Sequence, residues 1–592
     1  MHPLNFAALG RFTSLMMMTF ALVAPGQLQA QDLPACTAQN TGHAHAWFLT
    51  KTEWSSADEK EWQEWIIALY KTKCHTLGEC LKSPANKFRN SDPPNLNMFS
   101  DCTDFPYKLR MYFSWKKGLP FSYLSDVSAR PLSKAQIQER LNQGKPEQQG
   151  DLRSTVNGNQ PEERRSLPTK AGWVDFVSEF SRIGDAVSTS TLRLNPVLFG
   201  NAPLRPDFYA VKLGADGIKT GTVAYDASGH VAMVIRTYPD GRIDFFDSKS
   251  DGSIGRPKFP AFKYFKTFSR ADHGVIFQNW RPIKVGGATP EIYNGSCRYY
   301  SIAENGGIAV APDRSIRGQS YEQAVGTEWK SGQPIPSPRE RSYQDNGSRV
   351  DSHLRFIQLR LASGNLRVDP VQSIKDSVGD LCGTIEHRVE QVKGALSGDD
   401  PVYRQTFLGA GDRLFNVFGG QGAWFKYSTP SMDVGIRKVA LGIVADSKSF
   451  LERYAAGDPE ISYSGANLKA DLMKAFVRAA KTCVIRYHQS NGQLSHPIAL
   501  PELLMRSTRF SFNPYDCPER RWGASDPAEL RLCTNDAMKE RWYKAMQPLR
   551  NTIEKDETAN MSFTLSELEA NPSLLGPKDE PVMDIENRLR AL

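Results

Sequence analysis

Residues of the three types that make an activated nucleophile stand in suggestive settings along this chain. Cys102 lies in "MFSDCTDFPYKLRMYFSWKKGLPF", His230 opens "HVAMVIRTY", and Asp244 and Asp247 lie in the "RIDFFDS" that follows. A thiolate can attack a carbonyl carbon, a histidine can take and return the proton, and a carboxylate can fix the tautomer and orientation of the imidazole. Such a set forms a thioester that water then resolves.

Each of these residues needs an element to hold it. After Cys102, the residues Phe105, Leu109, Tyr112 and Phe113 recur at helical spacing, Lys108 and Arg110 fall off that face, and Gly118 with Pro120 stops the pattern. Cys102 is therefore expected in the first turn of an amphipathic helix, behind a Ser100 or Asp101 cap. Unpaired backbone N–H groups there favour a thiolate and can serve an oxyanion. Pro106 has no N–H to give, which leaves a second option: the helix starts at Asp104 and Cys102 lies just ahead of it.

"TVAY" and "HVAMVIRTY" read as strands, "YPDG" as a turn, and "RIDFFDS" as the return strand of a hairpin. If Tyr238 to Gly241 form the loop, Thr237 pairs with Arg242 and Ala232 with Asp247. That register puts Asp247 diagonally next to His230 and sends Asp244 to the other face. A bulge would reverse the choice, so Asp247 is preferred and Asp244 stays in reserve.

A cysteine at a helix start, then "GTVAY", then "GHVAMV", then an acid at the end of the next strand resembles the papain-like bacterial cell-wall hydrolases of the NlpC and CHAP types, over roughly residues 90–280. The resemblance implies an α+β fold in which a helix carrying the cysteine packs on an antiparallel sheet carrying the other two residues. It implies Cys102 as nucleophile, His230 as base and Asp247 as third member, acting on amide bonds in peptides such as those of peptidoglycan. The chain departs from the family in having "TDFPY" after the cysteine, where a small or glycine-rich stretch is usual, and in the long interval from Cys102 to His230. Residues 133–170, polar and poor in apolar anchors, read as an inserted loop that accounts for the interval. The same order of residues with "DGRIDFFDS" also resembles transglutaminase-like folds, which would make the chain an acyl transferase. A catalytically silent envelope scaffold on the same fold is the reading outside enzymes.

The wider sequence sets the compartment. Residues 1–30 carry one charged residue, Arg11, then the apolar run "TSLMMMTFALVAP", then "GQLQA", the layout of a signal peptide cleaved after Ala30. No later stretch is apolar enough to span a membrane, so a periplasmic or secreted protein is expected. "LPAC" at Leu33 to Cys36 weakly resembles a lipoprotein box, but polar residues separate it from the apolar run and Pro34 fits it poorly. The net charge of +8 over 592 residues is spread along the chain and gives no reason to expect a nucleic-acid partner.

Nine cysteines in an oxidising compartment imply one thiol left over, a pairing with another molecule, or lipidation. Cys74 with Cys80 and Cys517 with Cys533 each bracket a short loop, and Cys382 and Cys483 lie in helical segments that a bridge could staple. Cys102 is the one whose surroundings suggest another role. "HAHAW" from His43 to Trp47 is a weak ligand set, and no metal or cofactor is expected. "NGSCRYYSIAENGGIAV" reads as turns. The run containing Trp54, Trp62, Trp65, Ile66 and Leu69 reads as a core helix.

The organisation expected is a signal peptide (1–30), a helical N-terminal extension (31–90), a papain-like domain (91–285) and a mostly helical C-terminal region (286–592) with no assigned role. The helical candidates in that region are "VDSHLRFIQLRLAS", "VQSIKDSVGDLCGTIEHRVEQVKGAL", "ANLKADLMKAFVRAAKTCVIRYHQ" and "AMKERWYKAMQPLRNTIEKD".

Overall fold

The computed structural model describes residues 33–592 except 73, 95, 97, 228, 250–251, 261–263, 266–270, 318–342, 346–347, 351–352, 398–399, 406–422, 424–426, 550–562 and 576–581. The expected signal segment lies outside the described residues. In chain order the elements used below are β1 (Ala46–Phe48), α1 (Ser56–Tyr70), α2 (Asp104–Lys117), β2 (Phe121–Ala129), α3 (Lys134–Asn142), β3 (Asn159–Leu167), β4 (Trp173–Asp175) and α4 (Phe176–Ala186). They continue with β5 (Phe208–Ala210), β6 (Val223–Asp226), β7 (His230–Thr237), β8 (Ile243–Ser248), β9 (Ile254–Gly255), β10 (Lys258–Phe259), β11 (Phe277–Trp280), β12 (Ile283–Tyr293) and β13 (Cys297–Val310). Helices α5 (His353–Leu361), α6 (Pro370–Gly394), α7 (Pro430–Ala455), α8 (Leu468–Thr482) and α9 (Ala537–Met546) follow.

The chain is a mixture of helix and antiparallel sheet. The main sheet has the order β10-β8-β7-β6-β11-β5, with β9 alongside β8. Alternation along β7 and β8 sorts its two faces. Val231, Met233, Ile235 and Phe246 join the core built by α1 and α2, whereas Ala232, Val234 and Phe245 pack with Phe356, Ile357 and Leu361 of α5. Helix α5 thus closes the second face of this sheet, and its apolar residues belong to that core and not to the one shared by the later C-terminal helices. The first core also runs through Trp47, Trp62, Trp65 and Leu69, across the boundary expected at residue 90.

Helix α2 is buried on all sides from Asp104 to Trp115, which corrects the expectation of an amphipathic helix with Lys108 and Arg110 facing out. Buried cations need partners. Lys108 Nζ meets Asp104 Oδ2 at 2.6 Å and donates to the Phe99 carbonyl at 2.6 Å. Arg110 makes a two-pronged pair with Glu59 and lies 3.3 Å over the Trp54 ring. Gly118 ends the helix in the left-handed region, where a Cβ would strike Thr50 Oγ1. Helix α1, the expected tryptophan-rich core helix, starts from a Ser55–Asp58 capping box and buries Trp62, Trp65, Ile66 and Leu69.

Two expectations of loop are corrected. Within 133–170, Asn159–Leu167 is strand β3, paired along its length with β2, and Lys134–Asn142 is helix α3. The strand carries the run Glu162, Glu163, Arg164, Arg165 and is only partly buried, so no apolar alternation announces it. The glycine-rich "NGSCRYYSIAENGGIAV" contains strand β13, whose hairpin with β12 shifts register between Gly286 and Ala288. The glycines serve that irregularity: Gly287 has φ 70°, and a Cβ on Gly306 would lie 2.4 Å from the Gly286 carbonyl oxygen.

Beyond these, α6, α7 and α8 pack around Ile374, Leu381, Ile385, Ile436, Ile443, Leu472 and Phe476. Helix α7 was not anticipated, having Gly435 and Gly442 within it. Four disulfides are present: Cys36–Cys297, Cys74–Cys80, Cys382–Cys483 and Cys517–Cys533. They fit an oxidising, extracytoplasmic setting. Cys36 is bonded to Cys297, so its sulfur is not open to the lipid attachment that "LPAC" brought to mind. No helix among the described residues is long and apolar enough to cross a membrane.

Candidate active site

Cys102 is the free cysteine among the described residues, and it is partly exposed. It occupies the turn ahead of α2, the second of the two placements its sequence allowed. Asp101 Oδ1 accepts from the N–H groups of Thr103 (2.8 Å) and Asp104 (3.0 Å), so Asp101 caps the helix start in place of a residue at the N-cap itself. The Asp101 carbonyl accepts from Phe105 N–H. The Cys102 N–H has no acceptor among the described residues and remains available beside its own sulfur. Ser248 Oγ donates to the Ser100 carbonyl at 2.7 Å, which ties the end of β8 to the segment leading into Cys102.

The hairpin delivers the acid by two compensating departures from the simplest register. Thr237 pairs with Ile243, so the loop has one residue more than expected and alone would turn Asp247 away from His230. The register then shifts between Val234 and Arg236, and Met233 pairs with Phe246. Continuing that pairing sets Ala232 opposite Asp247, and His230 Nε2 meets Asp247 Oδ2 at 2.8 Å. Asp244 takes no part: it accepts from Tyr238 Oη at 2.8 Å.

His230 is buried and Asp247 fully so. Burial by itself would lower the histidine's pKa, but hydrogen bonding and charge from Asp247 and from the neighbouring Cys102 outweigh it and raise the pKa to about 9. The imidazole therefore holds its proton at neutral pH. With Nε2 committed to Asp247, Nδ1 is the nitrogen left for the sulfur. Cys102, His230 and Asp247 are thus brought together, and the arrangement can hold a proton between a thiol and an imidazole and return it to a leaving group.

Three features of the surroundings were not read from the sequence. Tyr264 stacks on the His230 ring with centroids 4.4 Å apart. Gly255, paired with Asp247, has no room for a side chain, because a Cβ there would lie 2.1 Å from Asp247 Oδ1. Arg256 follows, anchored on the Tyr70 and Cys74 carbonyls. A glycine inside the short strand pattern "SIGRP" was the available signal for the second of these, since it marks close approach of a neighbour.

Cys517, Glu519 and Cys533 lie close enough to suggest a metal site, but the two sulfurs are bonded to each other and are not free to act as ligands. No protein-family model matches this chain, and neither a curated protein nor a solved structure matches it.

Proposed function

We propose that this chain is an exported thiol hydrolase in which residues 91–285 provide a papain-like unit that cleaves amide bonds in peptides. The observation that carries the reading is a free cysteine at a helix start beside a histidine whose far nitrogen is tied to a buried carboxylate. The Cys102 thiolate attacks the carbonyl carbon, and the oxyanion that forms accepts a hydrogen bond from the free Cys102 N–H. Collapse breaks the C–N bond, His230 gives its proton to the departing amine, and a thioester remains. Water then adds as His230 takes one of its protons, releasing a carboxylic acid and restoring the thiol. Asp247 holds the imidazole in line throughout.

Peptidoglycan peptides are the substrate class favoured by the family resemblance, the disulfides and the signal-like N-terminus. The test is alkylation of Cys102 in the non-reduced protein, mapped by mass spectrometry against His230→Ala, followed by incubation with peptidoglycan peptides. Selective, His230-dependent labelling with new amine termini supports hydrolysis. Incorporation of an added amine in place of water would instead support acyl transfer, and an inert Cys102 would leave only a scaffold.

A further inference from the structure

We propose that Arg256 is a positioning residue: clamped by the Cys74–Cys80 loop, it lends its charge to Asp247 and so limits how tightly the Asp247–His230 pair holds its proton. The inference rests on the catalytic reading of Cys102, His230 and Asp247.

The first ground is what Asp247 lacks. Its side chain is fully buried, Oδ2 faces His230, and Oδ1 has no hydrogen-bond partner among the described residues. No donor side chain can approach along β9, because Gly255 lies against that oxygen. While His230 keeps its proton the pair is neutral, but once that proton leaves, a carboxylate in such a place needs another compensating charge nearby. Arg256 is next in the chain, and its guanidinium and the Asp247 carboxylate act on each other electrostatically.

The second ground is how the guanidinium is held. Nε donates to the Tyr70 carbonyl at 2.8 Å, Nη1 and Nη2 donate to the Cys74 carbonyl at 3.2 Å, and Nη2 reaches Cys74 Sγ at 3.2 Å. The group also lies 5.4 Å over the Phe246 ring, whose residue immediately precedes Asp247. All these partners are neutral, so the charge is fixed in place without being cancelled. The same disulfide loop holds β9, since Ile254 N–H donates to the His75 carbonyl and Thr76 pairs with Ser253. One small bridged loop therefore sets both the strand against Asp247 and the cation beside it.

The sign of the effect follows from charge. His230 losing its proton leaves a buried negative carboxylate beside a neutral ring, and a nearby cation makes that state less costly. Without the cation the pair keeps its proton to higher pH. Displacement of Asp247 through lost packing would do the reverse, because His230 would lose the partner that raises its proton affinity.

The experiment is the pH profile of Cys102 alkylation by iodoacetamide, from about pH 4 to 11, in wild type, Arg256→Gln and Arg256→Lys, with His230→Ala marking the inflection that belongs to His230. In Arg256→Gln that upper inflection should rise by about one pH unit, a tenfold gain in proton affinity, while Arg256→Lys stays near wild type. An unchanged inflection, a lowered one, or equal shifts in both variants would overturn the proposal. If Arg256→Gln does not fold by circular dichroism, Cys74→Ser/Cys80→Ser is measured in its place. A smaller upward shift supports the proposal and none overturns it. A wild-type profile that does not differ from that of His230→Ala sinks the catalytic reading itself, and the proposal with it.

Discussion

Both halves of the molecule bury charge, and they use it differently. In the C-terminal helices, Arg388 is fully buried against Asp433 at 2.6 Å, donates also to the Ser511 and Arg521 carbonyls, and lies over Phe510 and Trp522. The cysteines near it are in bridges. Around His230 the ion pair is equally buried, but it adjoins a partly exposed free thiol and a carboxylate oxygen that has no donor among the described residues. Buried charge alone therefore does not mark a site. The mark is a group able to change its covalent state, next to one able to carry the proton.

Substitution breaks this contrast in graded ways. Cys102→Ala should remove the labelled thiol outright and lower any amide hydrolysis by roughly 10⁶-fold, as loss of the nucleophile of a triad does, with the melting temperature nearly unchanged. Asp433→Asn should do the opposite. It leaves Arg388 buried without its counter-charge, costing about 3–5 kcal/mol in denaturant unfolding, yet Cys102 should alkylate at the wild-type rate below the transition.

The pH dependence of stability sharpens the comparison. The His230 pKa rises on folding from 6.5 to about 9, so its contribution is complete below about pH 6.5 and lost as pH rises through about 9. That difference corresponds to roughly 3 kcal/mol. Wild type should lose this much relative to His230→Gln between those limits in paired urea titrations, and a parallel pair of curves would refute it. Gly255→Ala should cost about 1–3 kcal/mol by overpacking and should abolish the His230-dependent step in Cys102 alkylation, because the new methyl must displace Asp247.

Much of the site was legible because its residues sit in locally patterned segments. The helix after Cys102 and the β7–β8 hairpin both carry periodicity and turn signals, and counting cysteines isolated Cys102. The choice of Asp247 over Asp244 came from an even-loop argument whose premise fails. The loop is longer by one residue and the register shift at Ile235 restores the parity, a cancellation decided by packing on both faces of the sheet. What stayed hidden is what only tertiary structure decides. Strand β3 pairs through polar residues, α5 leaves its neighbours in sequence to cover a sheet, and Cys36 reaches Cys297 across most of the N-terminal half. Nothing in the sequence singles out Arg256, because its acceptors are backbone carbonyls distant in the chain.

The Cys36–Cys297 bridge has a consequence for biogenesis. If the chain is exported N-terminus first, as proposed above, Cys36 emerges first, then Cys74, Cys80 and Cys102, long before the hairpin that carries Cys297. Oxidation in order of arrival would join Cys36 to Cys74 and Cys80 to Cys102, which would forfeit clamp and nucleophile at once. Maturation by that route would call for a step that reshuffles or delays disulfides, and its yield should then depend on an isomerase more than on an oxidant.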